Sequence, residues 1–436
     1  MRGKRVLLMP SDGGGGFGHV SRCQILAGQL REQGAQVLLL VNQKSTLKRL
    51  ARGLPARQVD IPRHPLWYVQ RLVKALSPGP GYNYTLFEGL AFQVLRDGIW
   101  SPDILAGLIR RCRRAIRDFN PDLIVGDTSL VAGILGQLCS VPVVQIVRFL
   151  NHPDYGRVIW WKDYGDRIQP PQVLPIINTA LEKVGLSPLE RPLSLLAGDH
   201  YLIPSIPQIE PISDVDHKNS FVGPLSLELS GQAELAEPYC QFPRENPMVY
   251  VTFGGGAQSV HTEALVDTVV RAFAGKAINV VIANPQMVTA QDRNLPENIR
   301  MFRWVPGQAL IAACDLVVSH GGYGTLMEAV RLGKPLLVIP FHAEQEGNGR
   351  RLAQMGCGEC LLPYREEDLK TVEKSFSGEL FRYLESRQMR LTGEEVASAV
   401  QGLLENPDLE KNLGGIQKQI KQFQPGQALK LLDLYL

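Results

Sequence analysis

His320, Gly321 and Gly322 stand where an apolar run gives way to a helical pattern, and the polar residues after them are spaced for binding. Glycines let a backbone approach a ligand closely, and the free N–H groups of a helix N-terminus attract an anion. His320 can add a hydrogen bond to a diphosphate oxygen, and Thr325 can add a hydroxyl. Glu328, further along the helix, can accept both hydroxyls of a ribose. A Gly-Lys-Pro turn and a buried strand then lead to a loop with Glu344, Gln345 and Asn348. Residues 319–348 thus offer a helix N-terminus to one end of a sugar nucleotide and a polar loop to the other. Taken singly, these residues also read as a tight turn and a solvated acid; together they point to sugar-nucleotide chemistry. Just ahead, Trp304 either stacks on a nucleobase, with the Val305 backbone at the base edge, or is a core tryptophan. Thr252, Gly254 and Gly255 close another strand and form a second candidate phosphate loop.

A different chemistry is suggested near the N-terminus. Gly16-Phe17-Gly18-His19 opens the first helix, and a histidine at the mouth of a cleft suits a general base. Asp127, at the end of a strand, points into the same crevice and can fix the ring's tautomer. Asp12 is the reserve base, and a capping or core histidine is the plain alternative for His19. Asp214-Val215-Asp216 reads as a surface turn rather than a metal site. Cys357-Gly358-Glu359-Cys360 reads as a helix end running into a strand, with no second Cys/His pair to complete a zinc site. No metal is therefore expected.

The elements that must hold these residues alternate. Residues 5–9, a helix from 19 to 34 and residues 37–41 form strand, helix and strand, and 121–125, 130–138 and 141–147 repeat the unit. The grammar restarts at 248–253, 264–273 and 280–283, then again at 316–319, 325–332 and 336–340. Such alternation implies an α/β chain of two tandem doubly wound, Rossmann-like domains with parallel sheets. The expected division is 1–224, a Pro- and Glu-containing linker at 225–246, and 247–436, with the last helix packing back on the N-terminal domain. Two aromatic stretches of the N-terminal half break the rhythm. They read either as satellite core or as an acceptor pocket, for which Trp67, Tyr82, Tyr84, Phe149 and Trp160 are the candidates.

At 436 residues the chain exceeds one core, and a net charge of +3 without a long basic run speaks against nucleic acid. Seven scattered cysteines fit a reducing cytosol. The apolar run at the N-terminus ends at Pro10, too soon for a signal peptide, and the uncharged stretch 129–147 reads as buried core. A cytoplasmic location is expected. Oligomeric state is not legible.

The run WVPxxxL…D…HGGxxTxxEAxxxGxPxxxxPxxxEQxxN closely resembles the donor signature of GT-B-fold UDP-glycosyltransferases, in particular the bacterial natural-product and macrolide branch. The match is dense over 301–358, weaker but collinear elsewhere. It implies two Rossmann-like domains facing a cleft, with Trp304 stacking the base and His320, Gly321, Gly322 and Thr325 holding the diphosphate. Glu328 would bind ribose, and Glu344 and Gln345 the sugar hydroxyls. His19 and Asp127 map onto the family's base dyad. The implied reaction is a metal-independent, inverting displacement that carries a hexose from a UDP-sugar to a hydroxyl of a small natural-product-like acceptor. The chain departs from the family in having Glu344-Gln345 for Asp-Gln, which leaves the sugar open, and in lacking a serine in the 254–256 loop. The alternatives are a sugar-nucleotide hydrolase, or a transferase using a lipid acceptor, with Arg63, Arg71 and Lys74 beside Trp67 and Tyr68 making weak membrane contact.

Overall fold

The computed structural model describes residues 1–13, 17–61, 83–213, 218–226, 239, 242–243, 245–254, 262–285, 294–423 and 426–436. Apolar strand runs such as RVLLMP and QVLLLV are buried almost end to end, as parallel strands covered on both faces must be. In the N-terminal half they form a seven-stranded parallel sheet. Its order is Ala56–Gln58, Gln36–Val41, Arg5–Pro10, Leu123–Asp127, Val143–Ile146, His200–Ile203, Asn219–Phe221. Alternate residues supply opposite faces: Leu7, Met9 and Leu38 join one core, while Val6, Leu8 and Val37 join another. In the C-terminal half a six-stranded parallel sheet has the order Ile299–Phe302, Asn279–Ala283, Met248–Thr252, Leu316–Ser319, Leu336–Val338, Gly358–Cys360.

Both sheets reverse their strand order beside their first strand. In the N-terminal sheet the reversal lies between Arg5–Pro10 and Leu123–Asp127, where Pro10 pairs with Asp127. In the C-terminal sheet it lies between Met248–Thr252 and Leu316–Ser319, where Ser319 pairs with Thr252. Ligands of open α/β sheets bind outside the carboxyl ends of strands at such points. The register therefore carries each candidate site to the crevice of its own domain.

A third sheet, which the sequence reading did not anticipate, crosses between the halves. Strands Lys370–Phe376 and Glu379–Ser386 form an antiparallel hairpin, and Glu379–Ser386 pairs in turn with Tyr84–Leu86 of the N-terminal half. Ser377 and Gly378 make its two-residue turn with φ of 53° and 84°, the left-handed pair that matches strand twist. Tyr84, Leu86, Val158 and Ile159 are buried within the C-terminal core. Trp160 and Trp161 pack so closely on the helix Ala343–Gln354 that a Cβ at Gly347 would lie 3.1 Å from each indole. The final helix, Gln427–Asp433, places Ala428, Leu429 and Leu432 in the N-terminal core, so the chain ends on the domain where it began.

Tyr84 is therefore not an acceptor residue. Its ring is wholly buried, its centroid 4.3 Å from that of Tyr364, and its hydroxyl donates to the buried carboxylate of Glu346. Tyr364 Oη donates to the same group at 3.0 Å and Arg350 Nε at 2.7 Å. Tyr84→Phe should lower unfolding stability by about 1–3 kcal/mol, the worth of a buried hydrogen bond to a charged group. Denaturant melts of the two proteins check this, and an unchanged midpoint refutes it.

Candidate functional site

His19 lies in the first turn of the helix Gly18–Glu32, and Asp127 ends its strand directly across the switch point. Their side chains meet, with His19 Nδ1 2.7 Å from Asp127 Oδ1. Asp127 is wholly buried, which by itself raises its pKa, but Arg22 and His19 outweigh burial and hold the carboxyl below its usual value. An ionised carboxylate only accepts, so His19 Nδ1 carries the hydrogen and Nε2 is the basic nitrogen. Arg22, one turn after His19, grips Asp127 with Nε and Nη2, both at 2.8 Å. Its Nη2 is also 2.9 Å from His19 Nδ1, but the carboxylate is the stronger acceptor for both donors. Arg22 thereby joins His19 and Asp127 as a third member of the cluster. Asp12, the reserve base, is occupied: its buried carboxylate accepts the backbone N–H groups of Asn42 and Gln43 at 2.9–3.1 Å.

Across the cleft, Gly254 and His320 face each other at the other switch point. The imidazole is wedged between two glycine loops: a Cβ at Gly254 would sit 2.8 Å from it and one at Gly322 2.5 Å. Gly254 and Gly321 also have φ of 75° and 81°, which bulkier residues resist. Burial, and then the neighbouring His342, push the His320 pKa down to about 4, so the ring is neutral at physiological pH and offers hydrogen bonds rather than charge. Its Nδ1 is buried without a partner among the described residues. Glu328 is buried one and a half turns into the helix Tyr323–Arg331, its carboxylate held by Arg331. Trp304 is 74% exposed and Val305 buried beside it, which places an indole face in solvent at the strand end. Thr252 accepts from Gly254 N at 3.4 Å, tying the first glycine loop to its strand.

Glu344 and Gln345 start the helix Ala343–Gln354, and the structure gives them different surroundings. Gln345 is buried, with Oε1 accepting from Phe341 N at 2.8 Å. The Glu344 side chain is 39% exposed and faces the cleft. Burial raises its pKa, but Arg148, 3.1 Å away, and then His342, His19 and Arg96 more than offset this, so the carboxylate is held ionised.

Glu344 also lines a cavity of about 880 Å³ between the halves. Its apolar wall is made of Phe87, Phe92 and Trp100 from the N-terminal half and Phe376, Phe381 and Tyr383 from the hairpin. Gln93 and Asn151, also in the lining, bond to Thr128, the residue after Asp127, which turns the chain at φ 54°. These two side chains tie the cavity wall to the turn that follows Asp127. Phe149 and Trp160 do not line it: Phe149 lies 6.1 Å from the Tyr155 ring, and Trp160 carries Arg351 at 4.1 Å over its face. The residues sequence reasoning missed are His342, Arg148 and the hairpin aromatics. The hairpin alone had a signal, a Ser-Gly turn between alternating runs. Trp67, Tyr82, Gly255, the glycine before Phe17, Asp214-Val215-Asp216 and the basic residues flanking Trp67 lie outside the described residues.

Residues 267–399 match the profile of the family described as erythromycin biosynthesis protein CIII-like, C-terminal domain. A PGL/p-HBAD biosynthesis glycosyltransferase of Mycobacterium tuberculosis is 24% identical over 397 residues, spanning 83% of this chain and 90% of its own. Among solved structures, the kitacinnamycin glycotransferase superposes with a TM-score of 0.70 at 16% identity, over 100% of this chain and 99% of its own. The spinosyn rhamnosyltransferase SpnG, complexed with thymidine diphosphate, gives 0.64 at 19% identity, over 98% and 100%. The fold is GT-B, as the resemblance implied, and the enzyme is a glycosyltransferase.

Acid should test the buried histidines. His320 and His342 are both held to about 4, against 6.5 for a free ring. Between these values the unfolded chain binds protons that the native chain does not, so stability falls as pH drops from 6.5 to 4. Each ring contributes at most about 1.4 kcal/mol per pH unit. A double His320→Asn, His342→Asn variant should show a shallower fall in melting temperature across that range, and equal slopes would refute the assignment.

Proposed function

We propose that the protein transfers a hexose from a UDP- or dTDP-sugar to a hydroxyl of an apolar, ring-bearing small molecule, with inversion and without a metal ion. The observation that carries this reading is convergence. One cavity is bounded by aromatic side chains from both domains, is lined by Glu344, and is joined through Gln93 and Asn151 to the turn that follows Asp127. An acceptor lying in it would have its hydroxyl between the His19 ring and a sugar held by Glu344.

In this mechanism Trp304 stacks the base and Glu328 takes the ribose. The N–H groups at the start of the helix Tyr323–Arg331, with neutral His320, hold the diphosphate. His19 Nε2 removes the acceptor proton as the oxygen attacks the anomeric carbon from the face opposite the diphosphate. The C1–O bond to the diphosphate breaks, and its charge is stabilised by fixed backbone donors already in place. Asp127 stabilises the imidazolium through Nδ1–H, and Arg22 keeps that carboxylate fixed. Water could replace the acceptor in such a site, but a cavity of this size with six aromatic side chains suits a bulky molecule.

A panel of UDP- and dTDP-hexoses against aromatic and macrocyclic alcohols, read by nucleoside diphosphate release, tests the activity. NMR of the product anomer tests inversion. His19→Ala should lower kcat about 10²–10⁴-fold while donor affinity holds; full turnover by this variant would remove the base assignment. Phe381→Ala and Tyr383→Ala should raise the acceptor KM severalfold with donor KM unchanged. Rapid donor hydrolysis without acceptor, with no transfer in its presence, would favour the hydrolase instead.

A further inference from the structure

Arg148 has no part in the mechanism above, yet it is buried where the two domains meet. It stands just beyond the strand Val143–Ile146, at the carboxyl edge of the N-terminal sheet. Its Nε donates to Glu210 Oε1 at 2.8 Å, an N-terminal-half partner. The rest of the guanidinium addresses the C-terminal domain. Nη1 donates to Glu344 Oε1 at 3.1 Å and Nη2 to Asn348 Oδ1 at 2.7 Å, while Cζ lies 3.5 Å from the centroid of the Tyr323 ring. Asn348 Nδ2 in turn donates to the Gly321 carbonyl at 2.8 Å. One side chain therefore touches the candidate sugar acid and the helix after the phosphate loop, and reaches the loop itself through a single amide.

The geometry divides the Glu344 carboxylate. Oε1 is anchored on Arg148, and Oε2 has no protein partner among the described residues. A carboxylate so held can present one oxygen to a ligand without swinging, as a long acidic side chain otherwise would.

We propose that Arg148 is a positioning residue for sugar recognition, fixing Glu344 so that its free oxygen meets a hydroxyl of the donor sugar. Because Arg148 belongs to the other domain, discrimination among sugars then requires the domains to be docked, whereas nucleotide binding does not. This rests on the reading that Glu344 faces the donor sugar.

The test compares UDP with UDP-glucose, and dTDP with dTDP-glucose in parallel, by calorimetry. Arg148→Met alone would leave Glu210 buried without its cation, so Arg148→Met is combined with Glu210→Met, and Arg148→Lys serves as the conservative variant. Melting temperature and circular dichroism verify folding of each. UDP affinity should stay within about threefold of wild type, while UDP-glucose affinity should fall about tenfold or more, the worth of a hydrogen bond to a charged group. Preference for UDP-glucose over UDP-4-deoxyglucose should shrink likewise, Glu344→Gln should reproduce both losses, and Arg148→Lys should recover part of them. Equal loss of UDP and UDP-glucose, or discrimination kept in the folded Arg148 variants, overturns the positioning role. If wild type binds neither nucleoside diphosphate, the donor-site reading itself fails and this assignment with it.

Discussion

The carboxylate of Glu346 is the constraint from which the cleft takes its shape. It is fully buried, and a buried charge is tolerable only when hydrogen bonds replace its water. Tyr364 and Arg350 supply two of those bonds from the same domain; Tyr84 supplies the third from the other half. The helix Ala343–Gln354 cannot be turned or withdrawn without breaking that set. Its neighbours in sequence inherit the restraint: Glu344 toward the cavity, Gln345 toward the loop before it, Asn348 toward the Gly321 carbonyl. A group with no chemical task thus sets the angles of those that have one.

The two switch points use charge differently. Around Asp127, a carboxylate, a guanidinium and an imidazole share a small volume, and their mutual attraction outweighs the cost of burial. Around His320, glycine loops and a second histidine press the ring toward neutrality, and the polarity aimed at a ligand is that of N–H groups at a helix start. Arg148 lies between these regions, close enough to Arg22 for each to feel the other's charge. Both guanidiniums come from the N-terminal domain and each is paired with a carboxylate, opposite the neutral His320 ring.

Local patterns made most of the fold legible. Unbroken apolar runs such as QVLLLV and LVVS announced parallel strands, and glycines after them announced the crevice loops. The pairing of His19 with Asp127 followed from both lying at strand-to-helix ends. The acceptor side was not legible because it depends on long-range assembly. An aromatic residue looks the same in sequence whether it faces a cavity, as Phe92 and Trp100 do, or a buried carboxylate, as Tyr84 does. Arg148 was invisible for the same reason, since its partners lie far along the chain in the other domain. The hairpin had a local signature, but its pairing with Tyr84–Leu86 joins segments from the two halves and leaves no local trace.

The pairing of Tyr84–Leu86 with Glu379–Ser386 has a consequence for how the chain is made. Tyr84 and Glu346 are 262 residues apart, and the strand partner lies later still. On the ribosome, the N-terminal sheet can close while the core side chains of Tyr84, Leu86, Val158 and Ile159 wait for a surface not yet synthesised. Contacts of such separation form late and leave sticky edges exposed in the interval. The nascent N-terminal half is therefore an incomplete folding unit, and its vulnerable period ends only when the hairpin emerges.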